Sequence, residues 1–462
     1  MLLAFVIPHT AGISGGVVVI MRRFYCTAGA GMEDLLAKEV KNNLSATEVE
    51  QISGRVFFCS NAHLLIVTQL KSAERLFLLL RKAAAISLPN NPAKAADVIQ
   101  QSIVGDADMW KQNVLTWTTL QGELQDSQQR GQKRKREEDE ILIVDATSTN
   151  SMNSNIQLVM DPPSFRVSCR CSGLIARSYT SQRLSRIIGM AIKEKLGWKV
   201  DLREPKLEVN VYLSDDHCIV GMPLLKHPLA SRHYMKHNGL RSTIAWAMTS
   251  LCPKQLNDCV ILDPMCGVGA VLLEAAQECS NTVFLGMDKD MSQLKKATEN
   301  VKAAGMEGRV HLLQCSAMEI PLNDGAVDAV LCDVPFGRKF SCSTDMPTAL
   351  PRLLKEMERV LRVGGHLVLL LSLQLSAQLK KIICKNDQHA NSSDKQRVHT
   401  DPTNANKECT DTPENLMCYK SSSKTPILIT SLQAHNTHKV SLGSTDAFIH
   451  TFTKVQPEMC SY

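Results

Sequence analysis

The sequence predicts an α/β protein whose second half is a doubly wound, mostly parallel sheet of Rossmann-like kind. Two observations predict it. Short apolar runs alternate with segments whose apolar residues recur at three and four, beginning at Arg23. Within this alternation, Val260-Ile-Leu-Asp263 is followed at once by the glycine turn Gly267-Val-Gly269 and then an apolar helix pattern, the strand–turn–helix unit of ligand-binding parallel sheets. The 462 residues suggest two or three domains at roughly 100 to 200 residues each. Such a chain buries large cores without disulfides or metals. Its 44% hydrophobic and 21% charged residues exclude wholesale disorder. The excess of 52 Lys and Arg over 46 Asp and Glu, +6, permits a polyanionic partner without demanding one.

Residues 1–21 read as an N-terminal extension. Met1 to Ile20 is uncharged and fairly apolar, but Pro8, His9 and the glycines from Gly12 to Gly16 interrupt it, and no basic segment precedes it, so a membrane anchor is the lesser reading. Residues 22–121 read as a small α/β unit, with a strand at Arg55 to Cys59 and a helix at Ser72 to Ala85. Residues 122–162 turn polar and read as an insert too hydrophilic to fold. In it, Lys133-Arg-Lys-Arg136 fits a nuclear-import signal and a solvated charge run equally. The sixteen cysteines include no C-x-x-C pair, the nearest approach being Cys169-x-Cys171, so no metal site is expected; free thiols in such number suit a reducing nucleus or cytosol.

Residues 163–224 form a second α/β part. Phe165 to Cys171 alternates as a strand, with Arg166 and Arg170 on the face opposite Phe165, Val167, Cys169 and Cys171. The helix Ser181 to Leu196 carries Arg183 and Arg186 away from its apolar stripe. These four arginines fit a track for a phosphate backbone and an ordinary solvated face equally well. Leu207 to Leu213 alternates as a further strand. Residues 225–462 make the Rossmann-like domain. It opens with a helix at Arg241 to Leu251, is interrupted by a polar insert at 385–425 expected to be disordered, and closes with strands at Pro426 to Leu432 and Ala447 to Val455 as a terminal hairpin.

The chemistry is expected along the carboxyl ends of the parallel strands. In Asp263-Pro-Met-Cys266-Gly267-Val-Gly269, the glycines let the backbone approach a ligand. A dinucleotide fingerprint would require glycine at Leu272, and Asp263 would repel a pyrophosphate while favouring an amino-bearing cation. This selects S-adenosylmethionine over a nicotinamide cofactor, and a dehydrogenase is further disfavoured by the absence of an evident catalytic His or Tyr motif. Asp288, ending the next strand, is placed to accept both ribose hydroxyls, and Ser316 with Ala317, after a third strand, to meet the adenine. A fourth strand ends in Asp333-Val334-Pro335-Phe336-Gly337. Here a carboxylate and the Val334 carbonyl, stiffened by Pro335, would accept the two hydrogens of an exocyclic amine and draw its lone pair out of the ring, with Phe336 stacked on the base. From these residues alone a tight turn is an equal reading; behind a cofactor loop, function prevails. The helix Leu353 to Leu361, the Gly364-Gly365 stop and the strand His366 to Ser372 are core.

Asp263-Pro-Met-Cys-Gly-Val-Gly269 and Asp333-Val-Pro-Phe-Gly337, preceded by Gly239-Leu-Arg-Ser-Thr-Ile-Ala-Trp-Ala-Met248, resemble the THUMP-domain guanine-N2 RNA methyltransferases. Arg23-Phe-Tyr-Cys-Thr-Ala-Gly29, Ser53-Gly-Arg-Val-Phe-Phe58 and Phe165 to Gly173 look like the ferredoxin-like and THUMP portions of the same enzymes. The resemblance implies methyl transfer from S-adenosylmethionine to the N2 of a guanosine in a structured RNA, U6 small nuclear RNA or a transfer RNA, gripped by the N-terminal half. It further implies a small zinc-containing activator subunit as a heterodimer partner; the nucleus is the expected location, with the cytoplasm as alternative. A non-catalytic RNA-binding scaffold is the rival from a different class, and a DNA or protein amine stays open on the Asp333 motif alone.

Overall fold

The computed structural model describes residues 12–14, 17–19, 21–89, 91–139, 162–252, 256–279, 281–335, 346–383, 429–443 and 445–456. A short hairpin of β1 (Gly12–Ser14) and β2 (Val17–Val19) comes first. The first sheet then takes β3 (Arg22–Thr27), β4 (Thr47–Ile52), β5 (Arg55–Ser60), β6 (Arg75–Ala84), β7 (Phe165–Cys171), β8 (Leu207–Leu213) and β9 (His217–Pro223). Their order is β4-β5-β3-β6-β9-β8-β7, antiparallel except for the β7–β8 pair. Because β6 pairs with β9 from Phe77↔Pro223 to Ala84↔His217, the early strands and the later ones share a single sheet.

One face of this sheet is covered by α1 (Glu33–Leu44), α2 (Leu64–Val67), α3 (Pro92–Ile99), α4 (Ala107–Asp139), the single turn α5 (Ile175–Ser178) and α6 (Ser181–Leu196). Phe24, Val56, Leu76 and Leu78 pack beneath α1, and Phe165, Val209, Val211 and Val220 pack beneath α6 with Trp110 of α4. Two expectations are corrected here. The helix read at Ser72 to Ala85 is the strand β6: its run Leu76-Phe-Leu-Leu-Leu80 is buried on both faces between β3 and β9, and a continuous apolar run satisfies helical spacing as readily as a buried strand. The polar insert read from residue 122 starts instead as helix, since α4 continues to Asp139. Glu123 on it accepts the Leu64 N–H at 2.9 Å and pairs with Arg22 at 2.6 Å, so local polarity there serves packing. The basic run Lys133 to Arg136 lies on the backbone of that helix; residues 140–161 are outside the described residues.

The second sheet follows α7 (Ser242–Ser250) and contains β10 (Val260–Asp263), β11 (Val283–Asp288), β12 (Val310–Gln314), β13 (Val327–Asp333), β14 (Leu361–Ser372), β15 (Leu432–Leu442) and β16 (Thr445–Lys454). The helices α8 (Ala270–Glu278), α9 (Met291–Ala303), α10 (Met346–Val360) and α11 (Leu373–Ile382) connect them. Strand order is β12-β11-β10-β13-β14-β16-β15, parallel over the first five, with β16 antiparallel between β14 and β15. Successive residues of β10 and β13 go to opposite cores, Ile261 and Leu331 under α7 and α8, Leu262 and Cys332 under α10 and α11. This is the doubly wound, mostly parallel sheet expected. The closing hairpin is there too, but its first strand is β15, beginning at Leu432; of the strand read at Pro426 to Leu432, residues 426–428 lie outside the described residues. The polar stretch His435 to Lys439 concealed it: an edge strand needs apolar residues only where it meets the core, here Leu432 and Val440. β14 likewise begins at Leu361, ahead of the glycines, through a bulge against β13. The insert read at 385–425 lies outside the described residues.

The halves are locked together. Met32 and Leu35 at the start of α1 enter the core under α7 and α8. Ser441 N–H donates to Ala30 O at 3.0 Å. Gly31, at φ +86°, lies so close to β15 that a Cβ there would fall 2.1 Å from Lys439 O. No helix among the described residues is long and apolar enough to cross a membrane.

Candidate active site

The order of strands reverses at β10, which has β11 on one side and β13 on the other, so a crevice opens at their carboxyl ends. Each of these strands ends in an aspartate, Asp263, Asp288 and Asp333. After Asp263, the turn is fixed by Cys266 N–H donating to Met287 O at 2.8 Å and Gly269 N–H donating to Cys266 O at 2.8 Å. Gly267 and Gly269 sit at φ +53° and +81°, where a side chain is strained, and a Cβ on Gly267 would meet nothing within 4 Å. The loop therefore presents bare backbone to open space at the start of α8, which has no side-chain cap on its first N–H groups.

Leu272 explains how the loop manages without the third glycine of a dinucleotide motif. It is fully buried, and its Cδ1 lies 2.8 Å from where a Cβ of Gly286 would be. The close helix–strand approach that the third glycine gives from the helix comes here from a glycine on β11.

Asp263 is 1% exposed and accepts the Met265 N–H at 3.1 Å. Burial holds its carboxyl well above the usual carboxylate range, and the negative charges of Asp333 and Asp288 push it further. A cation entering the crevice relieves that repulsion, so the mouth is built for an ammonium or sulfonium group rather than a phosphate. Asp288 accepts the Gly267 N–H at 3.0 Å on one oxygen and the Asp290 N–H at 2.8 Å on the other. Each oxygen retains a lone pair for a hydroxyl. Ser316 is exposed two residues beyond β12, its hydroxyl accepting the Met318 N–H at 3.2 Å, while the Ala317 side chain is buried in the core under α10. Thus the Asp263–Gly269 turn and Asp288 lie together at the strand ends and Ser316 is exposed just beyond β12, whereas the Cys266 side chain is buried in the core under α7 and α8.

Asp333 ends β13 in a partly exposed position, and desolvation by the surrounding protein pushes its carboxyl up to about 7. The next peptide is tied down, with Val334 N–H donating to Leu370 O of β14 at 3.1 Å and the Val334 side chain 1% exposed. Pro335 follows; Phe336 lies outside the described residues. β13 pairs in parallel with β10, and the Asp333 carboxylate lies near enough to Asp263 for its charge to act on it.

The four arginines of the N-terminal half are not brought to one face. Arg166 and Arg170 project from the sheet face without helices, whereas Arg183 and Arg186 are exposed on α6 across the sheet, so the two pairs meet only around the edge strand β7. Arg166 is paired with Glu208 at 2.7 Å, and the Arg183 guanidinium lies 5.1 Å from the Tyr179 ring centroid. The helix-free face also carries Arg55 at 3.6 Å over the Tyr212 ring and Lys82 at 4.6 Å over Phe57, which strand spacing within β5 and β6 alone did not single out.

Buried polar contacts hold the connector of residues 224–241 to this site. Arg232 donates from Nε to Glu274 Oε1 at 3.0 Å and from Nη2 to Glu274 Oε2 at 3.2 Å and to Lys71 O at 2.8 Å, and Tyr234 donates to Glu274 Oε1 at 2.5 Å. Glu274 lies on α8, one turn past the cofactor loop, and Lys71 belongs to the first half. Sequence reading missed these residues because a buried ion pair has no local signature.

Comparison with known proteins agrees with this geometry. A THUMP domain model matches residues 150–222, and the RMKL-like methyltransferase domain model matches residues 230–406. The chain is 36% identical to U6 snRNA (guanine-N(2))-methyltransferase THUMPD2 of Homo sapiens over 94% of this chain and 96% of that protein. It is 34% identical to tRNA (guanine(6)-N(2))-methyltransferase THUMP3 of Bos taurus over 45% of this chain and 43% of that protein. Among solved structures, TrmN from Thermus thermophilus superposes with a TM-score of 0.61 at 19% identity, covering 94% of this chain and 99% of its own.

Proposed function

This chain belongs to the THUMP-domain family of RNA guanine-N2 methyltransferases, and from that membership we propose that it methylates the N2 amine of a guanosine in U6 small nuclear RNA. The observation that carries the choice of RNA is coverage: similarity to the U6 enzyme runs through both halves, while similarity to the tRNA enzyme runs through less than half of the chain. If the RNA is selected by the N-terminal half, the relative that matches it there is the better guide.

The residues fit S-adenosylmethionine, with a buried acidic mouth for its cationic end, Asp288 for the ribose and Ser316 at the adenine rim. When bound, that cofactor supplies an electrophilic methyl group. On the protein side, Asp333 and the Val334 carbonyl accept the two N–H bonds of the guanine N2, which turns the nitrogen lone pair toward the donor. Tethering of Val334 N–H to β14 keeps the carbonyl in one place. Phe336 stacks on the base. The developing positive charge on nitrogen is met by the Asp333 carboxylate, which takes up the departing proton. Positioning provides most of the acceleration. Arg170, Arg183 and Arg186, with Arg166 loosened from Glu208, line the RNA path around β7. A small zinc-containing activator subunit completes the enzyme as a heterodimer, and the nucleus is its place of work, with Lys133 to Arg136 as import signal.

The test is methylation of U6 and of total transfer RNA, offered in equal amounts, by purified chain with and without the activator, followed by nucleoside analysis. N2-methylguanosine in U6 supports the proposal. Product in transfer RNA alone moves the enzyme to the tRNA class, and RNA bound without product by either preparation supports a scaffold.

A further inference from the structure

Asn300 on α9 is fully buried and faces the connector rather than its own helix. Its Oδ1 accepts the His237 N–H at 2.9 Å, and its Nδ2 donates to His237 O and to Val268 O, each at 3.0 Å. The amide has one possible orientation, since exchanging O and N would set an oxygen against two carbonyls and an amino group against an N–H. Val268 stands between the positive-φ glycines Gly267 and Gly269, at the crown of the cofactor loop. From the connector side Gly239 closes on the same residue: a Cβ there would fall 2.5 Å from Val268 Cγ2. One buried amide and one missing side chain thus press connector residues 237–239 and the cofactor loop into a single unit.

We infer that Asn300 is a positioning residue for cofactor binding, holding the Val268 peptide so that Gly267 and Gly269 keep their ligand-ready conformation against the connector. The inference rests on the reading above that this loop holds S-adenosylmethionine. Glycines sample both signs of φ freely, so a loop released from Asn300 spreads over many conformations, and the cost of ordering it then falls on cofactor binding. The acids of β13 are untouched. The loss therefore appears in affinity, and in the rate at subsaturating cofactor, rather than in the rate at saturation.

Two variants attack this junction differently. Asn300→Asp keeps the acceptor for His237 N–H and removes both donors. Gly239→Ala leaves every hydrogen bond in place and wedges a methyl group against Val268 on an exposed stretch of connector. Titration calorimetry with S-adenosylhomocysteine is expected to show Kd raised by about tenfold in each, through the two lost hydrogen bonds in Asn300→Asp and the displaced Val268 in Gly239→Ala. The KM for S-adenosylmethionine should rise in proportion, with kcat within about twofold of wild type and the KM for RNA unchanged, a split that general destabilisation would not produce. Wild-type affinity in either folded variant overturns the inference, and if Asn300→Asp does not fold, Gly239→Ala decides. Should wild type bind S-adenosylhomocysteine yet methylate no RNA, the functional reading fails while the two dissociation constants still decide this one; a wild type that binds none overturns both.

Discussion

In the role proposed for it, Asp333 accepts only when ionised, and desolvation pushes its carboxyl up to about 7 from near 4. Below that pH the group carries a proton and donates where it must accept. For the free enzyme, kcat/KM should therefore rise about tenfold per pH unit up to about pH 7 and level off above it. A pH–rate profile flat from about pH 5.5 to 8.5 would remove Asp333 from the proton path. The place of this acid at a strand end was legible in sequence, because an apolar run stops there before Val-Pro-Phe-Gly. Its shifted titration was not, since desolvation depends on neighbours far away in the chain. Asn300 shows the same limit: an asparagine in a helix reads as a solvated polar residue, and only the fold turns it toward Val268.

At the scale of elements, the parallel strands β10, β11 and β13 were readable because each combines an apolar run with a polar terminus, whereas β6 was mistaken for a helix because an unbroken apolar run carries no period. Leu272 and Gly286 depend on each other: leucine on α8 fits only because β11 has no side chain opposite. Gly286→Ala would place its methyl carbon 2.7 Å from Leu312 Cδ2 and 2.8 Å from Leu272 Cδ1. Such overpacking is expected to cost about 1–3 kcal/mol. Urea unfolding of the variant checks this, and an unchanged midpoint would mean that α8 sits further from β11 than described.

Across the whole molecule, the first sheet and the methyltransferase half are joined by buried polar contacts, so the distance from the proposed RNA path to Asp333 is set by the fold rather than by a loose linker. Arg232, 6% exposed, and Glu274, 1% exposed, form the buried ion pair of this joint. Glu274→Gln leaves a buried guanidinium without its counter-charge, which is expected to destabilise the protein by about 3–5 kcal/mol. Thermal unfolding should then show the loss, and limited proteolysis should cut first in the connector; a variant with wild-type stability would mean that apolar packing of Met32 and Leu35 carries the joint instead. Sequence patterns revealed both halves but not their union, because no local motif records that β6 pairs with β9 or that α1 enters the second core.

Methyl transfer onto a guanine amine held by Asp333 is what the whole crevice is proposed to accomplish. The nucleoside composition of U6 small nuclear RNA tests it after incubation with labelled S-adenosylmethionine and either wild type or Asp333→Asn, both in the presence of the activator and both shown to bind S-adenosylhomocysteine. Labelled N2-methylguanosine is expected with wild type, and a reduction of about a hundredfold or more with Asp333→Asn at unchanged cofactor affinity. Equal label with both proteins, or label in another nucleoside, would remove Asp333 from its assigned role.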